Sequence, residues 1–248
     1  SAEVRSTNPF SVRANIKGFL EGAYSSTSHG MRTDIFNLIP LTQPYNASPW
    51  NYAGEEKLTS VPANVVDWIL VELRTSAANS TRSARRSALL LSNGSVVELD
   101  GASPLGIDLI PAGSYYVVLS HRNHLPIMSS GGLPLTSAPS SLDFTTGQGQ
   151  AYGTLPMNQL ESGVFGLVAG DANNTSIISA SDANAVFGAL NSTAYSQGDV
   201  NMTGIVTAAD ANVVFGNLNR SSQVPGAAPQ TVRDKPTEKL SHERMNVK

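Results

Sequence analysis

Two segments of the 248-residue chain repeat one another, and no other feature limits its possible folds as strongly. Residues 171–191 read DANNTSIISASDANAVFGALN, and residues 199–219 read DVNMTGIVTAADANVVFGNLN. The offset is 28 residues, and 13 of the 21 aligned positions are identical. Identity at that level marks a duplication in which each copy buries its apolar face against the other. Ala183, Val186, Phe187 and Leu190 fall at i, i+3, i+4 and i+7, and so do Ala211, Val214, Phe215 and Leu218. That spacing is one helical face. The sequence predicts loop, helix, loop, helix, with the two apolar faces packed together.

The loop ahead of each helix carries the oxygen chemistry of a hard-cation site. Calcium takes about six to eight oxygens from a curled loop, using side chains at positions 1, 3 and 5, a carbonyl at 7 and a carboxylate at 12. The first copy offers Asp171, Asn173, Thr175, the Ile177 carbonyl and Asp182. The second offers Asp199, Asn201, Thr203, the Ile205 carbonyl and Asp210, with Gly204 at position 6, where the loop turns sharply. The competing reading is that these residues only cap helices. Capping employs one side chain per helix, not a matched set.

This pattern resembles the type I dockerin family, whose paired repeats follow Asp-x-Asn-x-Asp-Gly-x-[Val/Ile]-[Asn/Ser/Thr]-x-x-Asp. The match spans about 165–220. The resemblance implies two Ca²⁺ ions, calcium-dependent folding, and binding to a cohesin or an adjacent module. Position 5 is Thr175 and Thr203 where the family usually has Asp, and position 6 of the first loop is Ser176 rather than Gly. Two carboxylates per loop suit weak binding at millimolar extracellular calcium. Positions 10 and 11, which help select a cohesin in the family, are Ala180-Ser181 and Ala208-Ala209, without the usual Ser-Thr pair.

Residues 10–150 carry strand signals instead. Val12–Gly18 alternates, DWILVELR (67–74) is rich in β-formers, and SYYVVLS (114–120) is the clearest strand. In LLLSNGSVVEL (89–99), Asn93-Gly94 predicts a type I′ hairpin turn. Further short strands are expected at 107–110 and 142–145. Phe19–Tyr24, LTQPY (41–45), Val66–Arg74 and YYVVLSHRNHL (115–125) are similar to modules near the C-termini of secreted Bacteroidota proteins. The expected fold is mainly β and multidomain: an antiparallel Ig-like β-sandwich followed by a small α-helical, dockerin-like calcium module. The expected divisions are an arm at 1–9, the sandwich at 10–150, a linker at 151–163, the repeat module at 164–222 and a charged tail at 223–248.

Composition narrows the function. Cysteine is absent, which excludes a disulfide scaffold, a thiol nucleophile and a Cys-ligated metal. The net charge of −3, from 16 basic and 19 acidic residues, does not suit a nucleic-acid binder. No apolar stretch reaches the ~18 residues of a spanning helix. Ser1-Ala2-Glu3 reads as the start of a processed chain.

Other candidate groups are weaker. His121-Arg122-Asn123-His124 invites a metal or catalytic reading, but i and i+3 on one extended strand point to opposite faces. A structural turn with Arg122 in a salt bridge is the expectation. Ser120 beside His121 does not make a triad, which is defined by geometry. Glu55-Glu56 and the pair Asp67 and Glu72 offer carboxylates for glycoside hydrolysis, but read as surface and edge-strand charges. TRSARRS (81–87) offers three arginines to phosphate or an acidic glycan and reads as a solvated loop. Trp50 and Tyr52 offer rings to a sugar, or simply anchor the core.

The sequence thus reads as a non-catalytic, extracellular, calcium-binding structural protein of bacterial type. As a surface or fibre subunit, it would assemble through its terminal segments with its own kind or another surface protein. The alternative is a dockerin-type anchor or a carbohydrate-binding module of a larger secreted protein, with polysaccharide as a possible partner. Neither reading involves nucleic acid or a membrane span.

Overall fold

A computed structural model describes residues 11–227 of the chain. The arm and most of the tail, expected to be the connectors of an assembly, lie outside the described residues.

Thirteen strands and two α-helices follow in order. The strands are β1 (Ser11–Lys17), β2 (Tyr24–Ser25), β3 (Gly30–Met31), β4 (Val65–Arg74), β5 (Arg82–Leu91), β6 (Ser95–Val97), β7 (Leu105–Asp108), β8 (Gly113–His121), β9 (His124–Met128), β10 (Leu133–Leu135), β11 (Ser140–Asp143), β12 (Asn158–Glu161) and β13 (Val164–Gly166). The helices are α1 (Ala180–Gly188) and α2 (Ala208–Gly216). Among the described residues, no helix is long and apolar enough to cross a membrane.

Nine strands share one sheet in the order β10-β8-β4-β5-β6-β1-β11, with β7 pairing β1 and β9 pairing β8. Every pair is antiparallel except β1 with β11. The sheet folds back on itself, so that Arg13 N donates to Thr136 O at 2.8 Å beyond β10. The main core includes Trp68, Leu89, Leu119 and Phe144, and a separate one forms around the repeat helices.

Strand β4 sits between β5 and β8, and all ten of its residues are buried. A strand covered on both faces reads as an apolar run rather than an alternation. Asp67 and Glu72 are therefore not edge-strand or surface charges, as expected, but buried groups of a central strand. The arginine-rich stretch is not a solvated loop either, because Arg82–Ser87 is the first half of β5. The β5–β6 turn also departs from expectation. Of its loop residues only Gly94 is left-handed (φ 87°), and its N–H donates to Leu91 O. Three loop residues with one left-handed glycine make a type I turn with a bulge rather than type I′. Strand β12 lies inside the segment expected to be a linker.

The repeat helices begin at capping boxes, Ser179 with Asp182 and Thr207 with Asp210. Their apolar faces split. Ala183, Val186, Ala211 and Val214 are buried around Val168, Ile178, Val200 and Val206. Phe187, Leu190, Phe215 and Leu218, expected to be buried with them, stand outside at 45%, 43%, 48% and 39% exposure. Two nine-residue helices cannot hide a stripe that wide from each other. Leu125 of β9 enters the same core, so part of its packing comes from the large sheet.

Candidate metal centre

Each loop is wound by its own carboxylate at position 1. Asp171 Oδ1 accepts from Thr175 N at 2.9 Å, and its Oδ2 accepts from Ser176 N at 3.0 Å. Asp199 repeats this with Thr203 N and Gly204 N, both at 2.9 Å. Position 12 closes the loop from the helix. Asp182 Oδ1 accepts from Asn173 N at 3.2 Å, and Asp210 Oδ1 accepts from Asn201 N at 3.1 Å. Left-handed residues at positions 4 and 6 turn both loops inward: Asn174 and Ser176 (φ 58° and 62°), then Met202 and Gly204 (φ 55° and 87°).

This curl gathers the oxygens that the spacing singled out. Thr175 Oγ1 lies 3.2 Å from Ile177 O, and Thr203 Oγ1 lies 3.4 Å from Ile205 O and 2.8 Å from Asn201 Oδ1. Asp171, Asp182, Asp199 and Asp210 are buried, and none makes a salt bridge among the described residues. Burial, then the charge of Asp182, pushes the Asp171 carboxyl up to about 7. Burial also raises Asp199, against the pull of the Gly204 and Thr203 amides and Arg122. Two buried carboxylates with amide, hydroxyl and carbonyl oxygens around them fit a hard divalent cation, which would supply the missing positive charge. Each loop brings only two carboxylates, and no group of three or more His, Cys, Asp and Glu side chains that could hold a metal gathers among the described residues. The helix-capping reading is also realised, because Asp182 Oδ2 and Asp210 Oδ2 accept from Ser179 N and Thr207 N.

The His-Arg-Asn-His turn joins the loops to the sheet. It links β8 to β9, and its two histidines pair across the hairpin, with the Nδ1 atoms 3.1 Å apart. His121 and His124 therefore do not face apart, the arrangement expected of one extended strand, because a two-residue turn sets them opposite each other. The expected salt bridge is present: Arg122 Nε donates to Asp67 Oδ2 at 2.9 Å. His121 Nε2 lies 3.1 Å from the same oxygen, and Tyr195 OH donates to Oδ1 at 2.7 Å. Burial alone would raise Asp67, but Arg122, His121 and Tyr195 outweigh it and hold the carboxyl at about 2. Burial holds both imidazoles neutral, His124 most strongly, with Arg122 adding to the effect. Ser120 lines one small pocket with His121 and His124, but its hydroxyl makes no hydrogen bond to either imidazole among the described residues.

The same turn reaches the second loop. Asn123 Nδ2 donates to Asp199 O at 2.8 Å, and Arg122 Nη1 donates to Ser196 O. Sequence reasoning missed Asp67 and Tyr195 as partners of this turn. They stand 55 and 73 residues from Arg122, and no spacing rule connects them.

No family model matches the chain, and no curated protein does. Two solved structures share some likeness. One is an N-terminal interface mutant of a type II cohesin–X-dockerin complex from Acetivibrio cellulolyticus, 15% identical, covering 84% of this chain and 97% of that chain at a TM-score of 0.41. The other is a C-terminal interface mutant of the same kind of complex from that organism, 20% identical, covering 62% and 82% at a TM-score of 0.38. Neither likeness is close enough to carry a function across.

Proposed function

We propose that residues 164–222 form a dockerin-like module that holds two calcium ions, and that the chain is a non-catalytic extracellular assembly module. The carrying observation is that the carboxylates at positions 1 and 12 accept the same backbone bonds in both loops, as two buried pairs without a salt bridge among the described residues. Asp171, Asn173, Thr175, the Ile177 carbonyl and Asp182 would hold one ion. Asp199, Asn201, Thr203, the Ile205 carbonyl and Asp210 would hold the other. Bound calcium neutralises the carboxylates and fixes the loops from which both helices start.

Assembly with another protein chain is supported by the face the helices leave open. Phe187 and Phe215 meet at 6.4 Å between ring centroids, and Leu190 and Leu218 are exposed at equivalent places in the two copies. Apolar side chains clustered in this way mark interaction surfaces more often than idle ones.

Calorimetry on the whole chain should find two calcium sites, with Asp182→Ala and Asp210→Ala each removing one. A cation that binds only the folded state stabilises by about 2.7 kcal/mol at a hundredfold excess over Kd. Melting that is unchanged between EDTA and millimolar calcium would refute the reading.

A further inference from the structure

The two faces of the sheet around β4 have opposite characters. Val71 and Leu73 point into the core, as do their neighbours Val117 and Leu119 on β8. Alternation turns Leu70, Glu72 and Arg74 the other way. The register then sets Arg85 of β5 opposite Glu72, and Val118 and Ser120 of β8 beside Glu72 and Leu70. This outward face is the floor of a cleft of about 160 Å³. Pro49 and Trp50 wall one side. The segment Val224–Ala227 walls the other, tied down by Arg74 Nη1 donating to Pro225 O at 2.8 Å.

The cleft holds three guanidinium groups, from Arg74, Arg82 and Arg85, against one carboxylate, Glu72. Both Glu72 oxygens are already engaged, Oε1 by Arg74 Nε at 2.6 Å and Oε2 by Arg82 Nη1 at 3.6 Å. Arg85 is spent on the carbonyls of Trp50 and Asn51, and its guanidinium lies over the Tyr52 ring. Arg82 differs. Its side chain is 46% exposed, and among the described residues its guanidinium makes no hydrogen bond beyond the long contact to Glu72. Trp50, Asn79 and Ser120 also line the cleft, and their side chains donate no hydrogen bond among the described residues. The pocket is rich in donors, carries excess positive charge and has an indole in its wall.

We infer that this cleft binds one carboxylate-bearing ring of an acidic saccharide, with Arg82 gripping the carboxylate and Trp50 flanking the ring. A planar guanidinium matches a carboxylate bidentately. The volume is below the roughly 300–1,000 Å³ of sites for drug-sized ligands, so it suits one sugar ring of a chain. Strand β5 and the 49–50 loop bring the arginine run and Trp50 to the floor and wall of one cleft. The proposed site rests on Glu72, Arg82, Arg85 and Trp50 of the sheet domain, and it meets the repeat module where Ser176 and the segment Val224–Ala227 line the cleft.

The test is calorimetric titration of the intact chain with a hyaluronan tetrasaccharide, its carboxyl-reduced neutral counterpart and inorganic sulfate, each with and without calcium. The acidic tetrasaccharide should bind with one site. The reduced form and the Arg82→Gln variant should bind at least about tenfold more weakly, the loss expected for one charge-assisted pair. Trp50→Ala should weaken binding as well, and the melting temperature of each variant serves as the folding control. Equal binding of the reduced form, an unaffected Arg82→Gln variant, or full competition by sulfate at equal concentration would overturn the assignment. Saccharide binding is read in EDTA as well as in calcium, so its failure and the failure of calcium binding are told apart.

Discussion

The two calcium-type loops have equivalent oxygens in unequal surroundings. The second is held by the sheet domain. Arg32 Nη2 donates to Asn201 O at 2.7 Å, Asn123 Nδ2 donates to Asp199 O, and Gly22 packs so tightly that a Cβ there would lie 1.9 Å from Val200 O. The first loop meets the same turn at its start, where Gly170 N and Asp171 N donate to Asn123 O at 3.0 and 3.2 Å, and takes further support from the segment after α2. Ser222 N donates to Ser176 O at 2.9 Å, and Ser176 Oγ donates to Ala227 O at 3.0 Å. Duplication has copied a ligand set but not all of its supports. One loop is held at several points by a folded neighbour, and the other at its start by that neighbour and at its turn by a strap from its own module. A held backbone lowers the ordering cost of taking up a ligand.

The largest expected effect comes from cutting the support of the second loop. Arg122→Ala removes the main partner of the buried Asp67 and the bond to Ser196 O. Stranding a buried charge costs about 3–5 kcal/mol. Denaturant melts should show that loss. Hydrogen exchange should show lower protection at 199–206 with 171–178 little changed. Equal loosening of both loops would show that the surroundings do not distinguish them.

Acid offers a milder attack on the same support. Burial holds His121 and His124 below their ordinary value in the folded chain, while the unfolded chain takes up protons near 6.5. Stability is therefore lost as pH falls below the unfolded value, by up to about 1.4 kcal/mol per pH unit for each imidazole. In saturating calcium, melts at pH 7 and pH 5 should differ accordingly, and His124→Asn should flatten the slope. A slope unchanged in that variant would place the acid sensitivity elsewhere.

The smallest effect lies at position 6. Gly204 is left-handed, and a Cβ added there would meet nothing nearer than Leu38 Cδ1 at 3.6 Å. Gly204→Ala should therefore cost only the left-handed strain, about 1–2 kcal/mol. Ser176→Gly relieves the same strain in the first loop but loses the hydroxyl bond to Ala227 O, so it should be nearly neutral. Thermal melts of both variants would show whether the strap offsets the missing glycine.

Features set by local spacing were legible in the sequence. The loop positions, a helix after each loop and the strands at 67–74 and 114–120 follow from periods that neighbours impose. Features set by chain-distant contacts were not. The burial of Asp67 depends on Arg122 and Tyr195, and the placement of Arg82–Ser87 in a strand depends on β4 beside it. The outward turn of Phe187 and Phe215 depends on how little two short helices can cover. The proposed calcium ligands were named by a pattern, whereas the arginine cleft needed the register of three strands.

The tip of the β8–β9 hairpin also sets a path for mechanical load. Leu125 is embedded in the core of the repeats, and Arg122 and Asn123 grip the second loop, while β8 of the same hairpin pairs the buried strand β4 of the nine-stranded sheet. A pull applied at the exposed aromatic pair would pass through α2 and its loop into that hairpin and then across the sheet. Separating the modules under tension would require extracting a leucine and a buried ion pair together, so the joint should yield as one event and not peel contact by contact.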